Sequence, residues 1–244
     1  MTKNQKMLLK SKPFISDVNG KSFYHYPALK QRHTLLMRLF AGESRLIFII
    51  GDPGSGKTLF LKQFLANDEK NWRKCKIHPG DSGETSGGQH EYPAFINTKH
   101  GLPVIVIDNA HNLNASELMF FIKMVGGGGQ PRRLRQILFF GEPAILQVMA
   151  RHENELPDDA TMEKIHMPTL SQKETNEYIS RRLCSTGYTG AMPFTQADIN
   201  RIFQNSGGNP GSININASIA LEKKLQSRGK VTSFFKTMLK NSDE

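Results

Sequence analysis

The chain has 244 residues, of which 38% are apolar and 22% are charged, and its formal net charge is +10. This composition is typical of a globular protein, and the length allows one α/β core with a small second domain. No apolar run approaches the length of a membrane-spanning helix, and the first residues lack the apolar segment of a signal peptide. We therefore expect a cytoplasmic location, while the positive charge leaves open a peripheral position at the inner membrane or contact with nucleic acid.

The apolar pattern predicts strands that alternate with helices over the first two thirds of the chain. A polar segment at 1–25, expected to be flexible, comes first. Strands are predicted at 45–50, 73–77, 104–108, 135–140 and 164–167, and helices at 27–40, 57–66, 115–125 and 143–151. The Gly-rich polar segment 78–91 is predicted to be a loop. This alternation predicts an α/β fold with a parallel sheet flanked by helices.

From residue 170 onward the pattern changes to helices alone. Ser171 and Glu174 have the spacing of a capping box, which starts a helix that we expect to end near 185. Two further helices are predicted at 195–205 and 212–226, separated by a Gly-rich break. This part is expected to form a small all-helical domain, followed by a basic tail at 229–244.

The most specific motif is an eight-residue glycine loop between a predicted strand and a predicted helix. Its residues are Gly51, Asp52, Pro53, Gly54, Ser55, Gly56, Lys57 and Thr58. In such a loop, backbone N–H groups surround a phosphate, the lysine reaches the β- and γ-phosphates, and the hydroxyl of Thr58 is a Mg²⁺ ligand. The alternative is a Gly-rich turn without a ligand. The motif in this context predicts a site for ATP and Mg²⁺.

Asp108 is the candidate for the second half of the metal site. It ends the apolar run 104–108, at the carboxyl end of a buried strand, which is where open α/β sheets bind ligands. There it would hold Mg²⁺ together with Thr58, so these two residues form the predicted metal site. The alternative is an aspartate that caps the next turn.

Hydrolysis also requires a group that orients or activates water. Asn109 follows Asp108 and can hydrogen-bond a water molecule, but it cannot accept a proton. Glu142 follows the strand 135–140, where it would orient the water or contact the γ-phosphate; a plain strand-to-helix turn is the alternative. His111 is either a substitute base or a turn residue. The predicted catalytic set is therefore Lys57, Asp108, Asn109 and Glu142.

In this order the motifs resemble those of AAA+ ATPases, in particular the ExeA and MshM type from bacterial secretion and pilus-assembly loci. The segments that carry the resemblance, over about residues 28–225, are 51–58, 108–113, 136–143, 170–183 and 206–211. Some cell-division ATPases and ATPases that assist transposases are also similar. The resemblance implies a P-loop core at 26–169, a helical lid at 170–228, homo-oligomers, and nucleotide-dependent assembly with a protein partner at the envelope.

Four departures from the family pattern bear on hydrolysis. Asn109 replaces an acid, Glu142 replaces a glutamine, Gly211 replaces an arginine, and the stretch 158–162 lacks the arginine offered to a neighbouring subunit. The segment 80–101 is also short, so an element at the sheet edge is expected to be missing. These departures predict ATP binding with slow hydrolysis.

Several alternatives stay open at this point. One is a scaffold that binds nucleotide without hydrolysing it, and another is a DNA-bound ATPase of the transposition-helper kind. Other arginines are candidates to replace the missing ones, namely Arg132, Arg133, Arg135 and Arg151.

Overall fold

The computed structural model describes most of the chain. The described residues are 13–14, 24–42, 46–66, 72–77, 90–95, 103–125, 134–156 and 161–227. They form two compact units. We call Pro27–Pro168 the α/β unit, and the described residues before Pro27 and from Thr169 onward the helical unit.

The α/β unit contains one six-stranded sheet with helices. Its helices are α1 (Pro27–Ala41), α2 (Lys57–Ala66), α3 (Ala115–Val125) and α4 (Ala144–Arg151). Its strands are β1 (Leu46–Ile50), β2 (Trp72–Ile77), β3 (His90–Phe95), β4 (Val104–Ile107), β5 (Gln136–Gly141) and β6 (Met162–His166). The strand order is β2-β3-β4-β5-β1-β6, and the four strands β4, β5, β1 and β6 are parallel. The predicted parallel sheet flanked by helices is therefore confirmed.

Strand β3 corrects the expectation for the sheet edge. The sequence predicts a missing element in the segment 80–101, whereas β3 pairs antiparallel with both β2 and β4. Its sequence, His-Glu-Tyr-Pro-Ala-Phe, contains a proline and a charged residue instead of a β-branched run. Such a sequence does not have the pattern of a buried strand, because proline cannot donate to the ladder. The antiparallel pairing extends the sheet by two strands on the β4 side.

Side chains of the central strands are buried on both faces of the sheet. Every residue of β1, β4 and β5 is buried. On one face, Phe48 stacks on Phe139 with ring centroids 4.8 Å apart, in a core that includes side chains of α3 and α4. On the other face, Phe60 of α2 lies 6.4 Å from Phe140 between ring centroids. Burial on both faces explains why these strands are continuous apolar runs rather than alternating ones.

The topology brings three separate loops to one edge of the sheet. Because β1, β4 and β5 are parallel neighbours, their carboxyl ends lie side by side. The glycine loop follows β1, Asp108 follows β4, and Glu142 follows β5. This edge is the place where open α/β sheets bind ligands.

The helical unit contains α5 (Gln172–Ser185), α6 (Gln196–Ser206) and α7 (Pro210–Ser227). A capping box begins each of the first two helices, formed by Ser171 with Glu174 and by Thr195 with Asp198. Each box satisfies backbone N–H groups that have no partner inside the helix. The helix starts expected at these residues therefore agree with the structure.

Aromatic residues from the N-terminal segment pack within the helical unit. The hydroxyl of Tyr24 donates to Glu177 at 2.6 Å, and the Arg181 guanidinium lies over the Tyr24 ring. Phe14 is buried, and its ring centroid is 6.3 Å from that of Phe194. Most of the segment 1–25 and the whole tail 229–244 lie outside the described residues. In the part of the chain that the structure describes, no helix is both long and apolar enough to cross a membrane.

Candidate functional site

The glycine loop connects the end of β1 to the start of α2. The Gly51 N–H donates to the Gly141 carbonyl at 3.2 Å, which ties the loop to the neighbouring strand β5. A Cβ added to Gly51 would lie 2.5 Å from Ser55 Oγ and 2.8 Å from Met167 Cβ. Only glycine therefore fits at this position without a shift of its neighbours. Met167 is a neighbour of the loop that the sequence analysis did not identify.

Two features of the loop suit an anionic ligand. A Cβ added to Gly56 would meet no atom within 4 Å, so the space beside this residue is open. Ser55 Oγ is buried and has no hydrogen-bond partner among the described residues. Buried hydroxyl groups without a partner are rare, because leaving one unsatisfied costs free energy. A phosphate oxygen in the loop would supply the missing acceptor.

Lys57 is the first residue of α2 and is buried. Its Nζ donates to the carbonyl oxygens of Gly51 at 2.7 Å and Asp52 at 3.0 Å. Burial lowers the pKa of Lys57, while the nearby carboxylates of Glu142, Asp108 and Asp52 act in the opposite direction. Of these three carboxylates, Glu142 has the largest effect. The ammonium group is therefore within electrostatic range of acidic side chains from all three loops at this edge of the sheet.

Thr58 and Asp108 meet at the same edge. Thr58 Oγ1 donates to Asp108 Oδ2 at 3.0 Å, which joins the first turn of α2 to the end of β4. The other carboxylate oxygen, Oδ1, accepts the N–H of Asn109 at 2.9 Å. A hydroxyl and a carboxylate are the oxygen donors that Mg²⁺ prefers, and this ion usually binds through one or two such groups plus phosphates and water. The residues present therefore fit the metal that the sequence predicts.

The residue after Asp108 is exposed and has an unusual backbone conformation. Asn109 has left-handed backbone angles, with φ of 52°, and its side chain is exposed. A 3-10 turn over Ala110–Asn112 follows. His111 in that turn is half-buried, and its Nε2 lies 3.5 Å from Glu142 Oε1. His111 and Glu142, for which the sequence left alternative roles open, are therefore neighbours.

Glu142 also begins the turn into α4. Its carbonyl oxygen accepts the N–H of Ile145 at 3.1 Å, and that of Pro143 accepts the N–H of Leu146 at 3.0 Å. The backbone of Glu142 thus has the turn role that the sequence offered as an alternative. Its side chain points towards His111 and acts electrostatically on Lys57, so the side chain remains a site candidate.

The candidate replacement arginines have different environments. Arg135 donates to the carbonyls of Phe40 and Gly42 and lies over the Phe40 ring, so its guanidinium is held at the end of α1. Arg151 is exposed at the end of α4. Arg132, Arg133 and most of the stretch 158–162 lie outside the described residues. Gly211 belongs to α7 of the helical unit.

Comparison with solved structures identifies the fold. The structure of Cdc6p from Pyrobaculum aerophilum aligns with a TM-score of 0.55 and 13% sequence identity, over 92% of this chain and 68% of that one. The chain has the fold of the AAA+ P-loop ATPases. The ORC2 protein of Aeropyrum pernix in its ADP form also aligns, with a TM-score of 0.49 and 14% identity over 92% of this chain and 70% of that one. No protein-family model matches the sequence, and neither does any curated protein.

Within this AAA+ fold, the structure brings most of the predicted site residues together. Lys57, Thr58, Asp108 and Glu142 meet at the carboxyl ends of β1, β4 and β5. Asn109 is adjacent but exposed. The sequence named His111 without pairing it with Glu142. The pairing could have been inferred from the sheet, because His111 follows β4, Glu142 follows β5, and these two strands are neighbours.

Proposed function

We propose that the chain binds ATP with Mg²⁺ at this edge of the sheet. The observation that carries the proposal is the Thr58–Asp108 hydrogen bond, beside a buried Lys57 whose Nζ is held by loop carbonyls. In P-loop proteins the same three residue types hold the metal and the β- and γ-phosphates. The resemblance in sequence motifs and the AAA+ fold both support this function.

Each residue then has a definite task. Lys57 exchanges its carbonyl contacts for charge-assisted hydrogen bonds to phosphate oxygens. The backbone N–H groups of the loop and the start of α2 bind the phosphates. Thr58 and Asp108 hold Mg²⁺, which neutralises charge on the phosphates when it is bound. The hydrogen bond between these two side chains keeps the metal-binding oxygens close together.

A lysine variant tests the proposal. Lys57→Ala should weaken ATP binding by at least about 100-fold, because the charge-assisted bonds to phosphate are lost. Lys62→Ala is the matched control, since Lys62 is an exposed lysine of the same helix, and it should bind ATP like the wild type. Binding is measured by fluorescence titration with a labelled ATP analogue. ATP affinity that is unchanged in Lys57→Ala would show that the site assignment is wrong.

We infer that the chain also hydrolyses ATP slowly, so that it passes only slowly from its ATP-bound to its ADP-bound state. The competing function is a scaffold that binds nucleotide and never hydrolyses it, which is favoured by the exposed amide of Asn109 where an acid is expected. The two functions differ in one measurement on the purified protein. Phosphate release at saturating ATP supports the ATPase, whereas binding without any release supports the scaffold.

The proposed role of the nucleotide is to control assembly. The resemblance to the ExeA and MshM type supports homo-oligomers that couple ATP binding to a protein partner at the envelope. Light scattering after size exclusion, with ATP or ADP, tests for nucleotide-dependent oligomers. The net charge of +10 favours one further candidate, a DNA-bound helper ATPase. That candidate requires duplex binding that weakens steeply as salt increases.

A further inference from the structure

The proposed ATPase needs a group that accepts a proton from the attacking water. Asn109 cannot do this, because an amide oxygen is a hydrogen-bond acceptor with negligible basicity, and its side chain is exposed. Asp108 is already committed to Thr58 and to the Asn109 backbone through its two carboxylate oxygens. A protein group that accepts the proton would therefore come from another loop at the same edge of the sheet.

The loops after β4 and β5 supply a carboxylate and an imidazole in contact. The 3-10 turn that carries His111 lies against the end of β5, where a Cβ added to Gly141 would be 3.4 Å from the His111 backbone nitrogen. His111 Nε2 and Glu142 Oε1 lie 3.5 Å apart, and both side chains are less than one-third exposed.

The surroundings of the imidazole ring indicate how the pair is oriented. His111 Nδ1 is buried and has no hydrogen-bond partner among the described residues. The polar contact of the ring is therefore made by Nε2, which faces the Glu142 carboxylate. In the tautomer with hydrogen on Nε2, the polar N–H of the ring attracts the Glu142 carboxylate across this 3.5 Å separation, which is longer than a typical hydrogen bond. The second oxygen of Glu142 is left to accept from another donor.

Glu142 also lies next to the glycine loop. It directly follows Gly141, whose carbonyl oxygen accepts the N–H of Gly51 at 3.2 Å, and Gly141 pairs with Ile50 at the end of β1. The γ-phosphate binds at the glycine loop in P-loop proteins. The loop that carries Glu142 therefore borders the place where this phosphate would bind.

We propose that Glu142, held by His111, accepts the proton of the water that attacks the γ-phosphate. This inference rests on the proposed ATPase function. In the step, the water oxygen forms a bond to the γ-phosphorus, and the bond from that phosphorus to the β–γ bridging oxygen breaks. The proton moves from water to the Glu142 carboxylate, and the products are ADP and inorganic phosphate. His111 is a positioning residue that acts through Glu142.

The first test removes the basicity of Glu142 and keeps its shape. Glu142→Gln should lower the single-turnover rate of ATP hydrolysis by at least about 100-fold, the usual contribution of a general base. ATP binding should persist in this variant. Its preference for ATP over ADP should rise several-fold, because a carboxylate beside the γ-phosphate is removed. Glu153→Gln is the control, since Glu153 is an exposed glutamate of a separate 3-10 turn, and it should change neither quantity.

The second test separates the positioning role of His111 from a structural one. His111→Ala should lower the rate of hydrolysis about tenfold with unchanged ATP affinity. His111→Gln retains an N–H donor and should restore most of the rate, which a simple packing role would not predict.

The outcomes distinguish this inference from the proposed function. If the wild-type chain binds no ATP, both fail. If it binds ATP without hydrolysis, or if Glu142→Gln hydrolyses ATP at the wild-type rate, the proton-acceptor role is wrong and the nucleotide site remains. An ATP-to-ADP preference that is unchanged in Glu142→Gln would likewise overturn the placement of Glu142 beside the γ-phosphate.

Discussion

The α/β unit and the helical unit differ in where their polar side chains lie. In the α/β unit, the central strands are buried along their whole lengths and are apolar except for Gln136, and polar side chains gather at their carboxyl ends. In the helical unit, apolar side chains such as Ile179, Leu183 and Ile213 are also buried, but the polar side chains described above form the capping boxes of α5 and α6. Burying a large apolar side chain contributes more to the free energy of unfolding than a helix cap, which contributes about 1 kcal/mol.

This difference explains why the candidate site lies in the α/β unit, at the carboxyl edge of its sheet. A rigid sheet with an almost entirely apolar interior can hold charged groups at its edge with fixed spacing. Lys57, Asp108 and Glu142 are such groups, and each directly follows or lies next to a buried strand end. The polar residues of the helical unit that we describe, in contrast, mostly complete the backbone hydrogen bonding of their own helices. The predictions below test this contrast.

The largest expected effect is in the core of the α/β unit. Phe139→Ala removes a ring that is fully buried and stacked on Phe48, and it should lower the free energy of unfolding by about 3–5 kcal/mol. Met162→Ala is the control on the same sheet, because that side chain is 37% exposed, and it should change stability by less than about 1 kcal/mol. Urea unfolding followed by circular dichroism measures both. Equal losses would contradict a stability dominated by the buried strands.

A smaller effect is expected at the two glycines that end α6. Both have positive φ, 56° at Gly207 and 76° at Gly208, but only Gly208 lies against another backbone segment, at Leu170. Gly207→Ala should cost about 1 kcal/mol, the price of a left-handed residue with a side chain. Gly208→Ala should cost more than about 2 kcal/mol, because its Cβ would also collide with the Leu170 carbonyl.

The same urea experiment compares the two alanine variants. Gly208→Ala should also weaken the hydrogen bond from the Leu170 N–H to the Gly208 carbonyl, which is 2.9 Å long. A similar decrease in the free energy of unfolding in both variants would mean that the backbone conformation alone determines the destabilisation. The close approach of the two backbone segments would then be unimportant for the helical unit.

Most elements could be predicted because their signals are local. Helices α2 and α3 begin and end at the predicted residues, since a glycine loop or a glycine run bounds each of them in the sequence. The capping boxes likewise mark the starts of α5 and α6 within four residues of sequence. The glycine loop itself is a contiguous motif, and its partner Asp108 follows an unmistakable apolar strand.

The features that were missed depend on pairing between distant segments. Strand β3 has a proline at its centre and becomes a strand through its hydrogen bonds to β2 and β4. The contact of His111 with Glu142 spans 31 residues and follows from the parallel pairing of β4 with β5. The contact of Met167 with the glycine loop depends in the same way on β6 pairing with β1. Sequence periodicity contains none of this information.

The most direct test of the central claim is the effect of Mg²⁺ on ATP affinity. Titration calorimetry with ATP is carried out on the wild-type chain and on Asp108→Asn, in Mg²⁺ and in EDTA. We predict that Mg²⁺ tightens ATP binding by at least about tenfold in the wild type, because Thr58 and Asp108 hold the ion against the phosphates. Most of this gain should be lost in Asp108→Asn. Wild-type affinity that is the same with and without Mg²⁺ would contradict the proposed site.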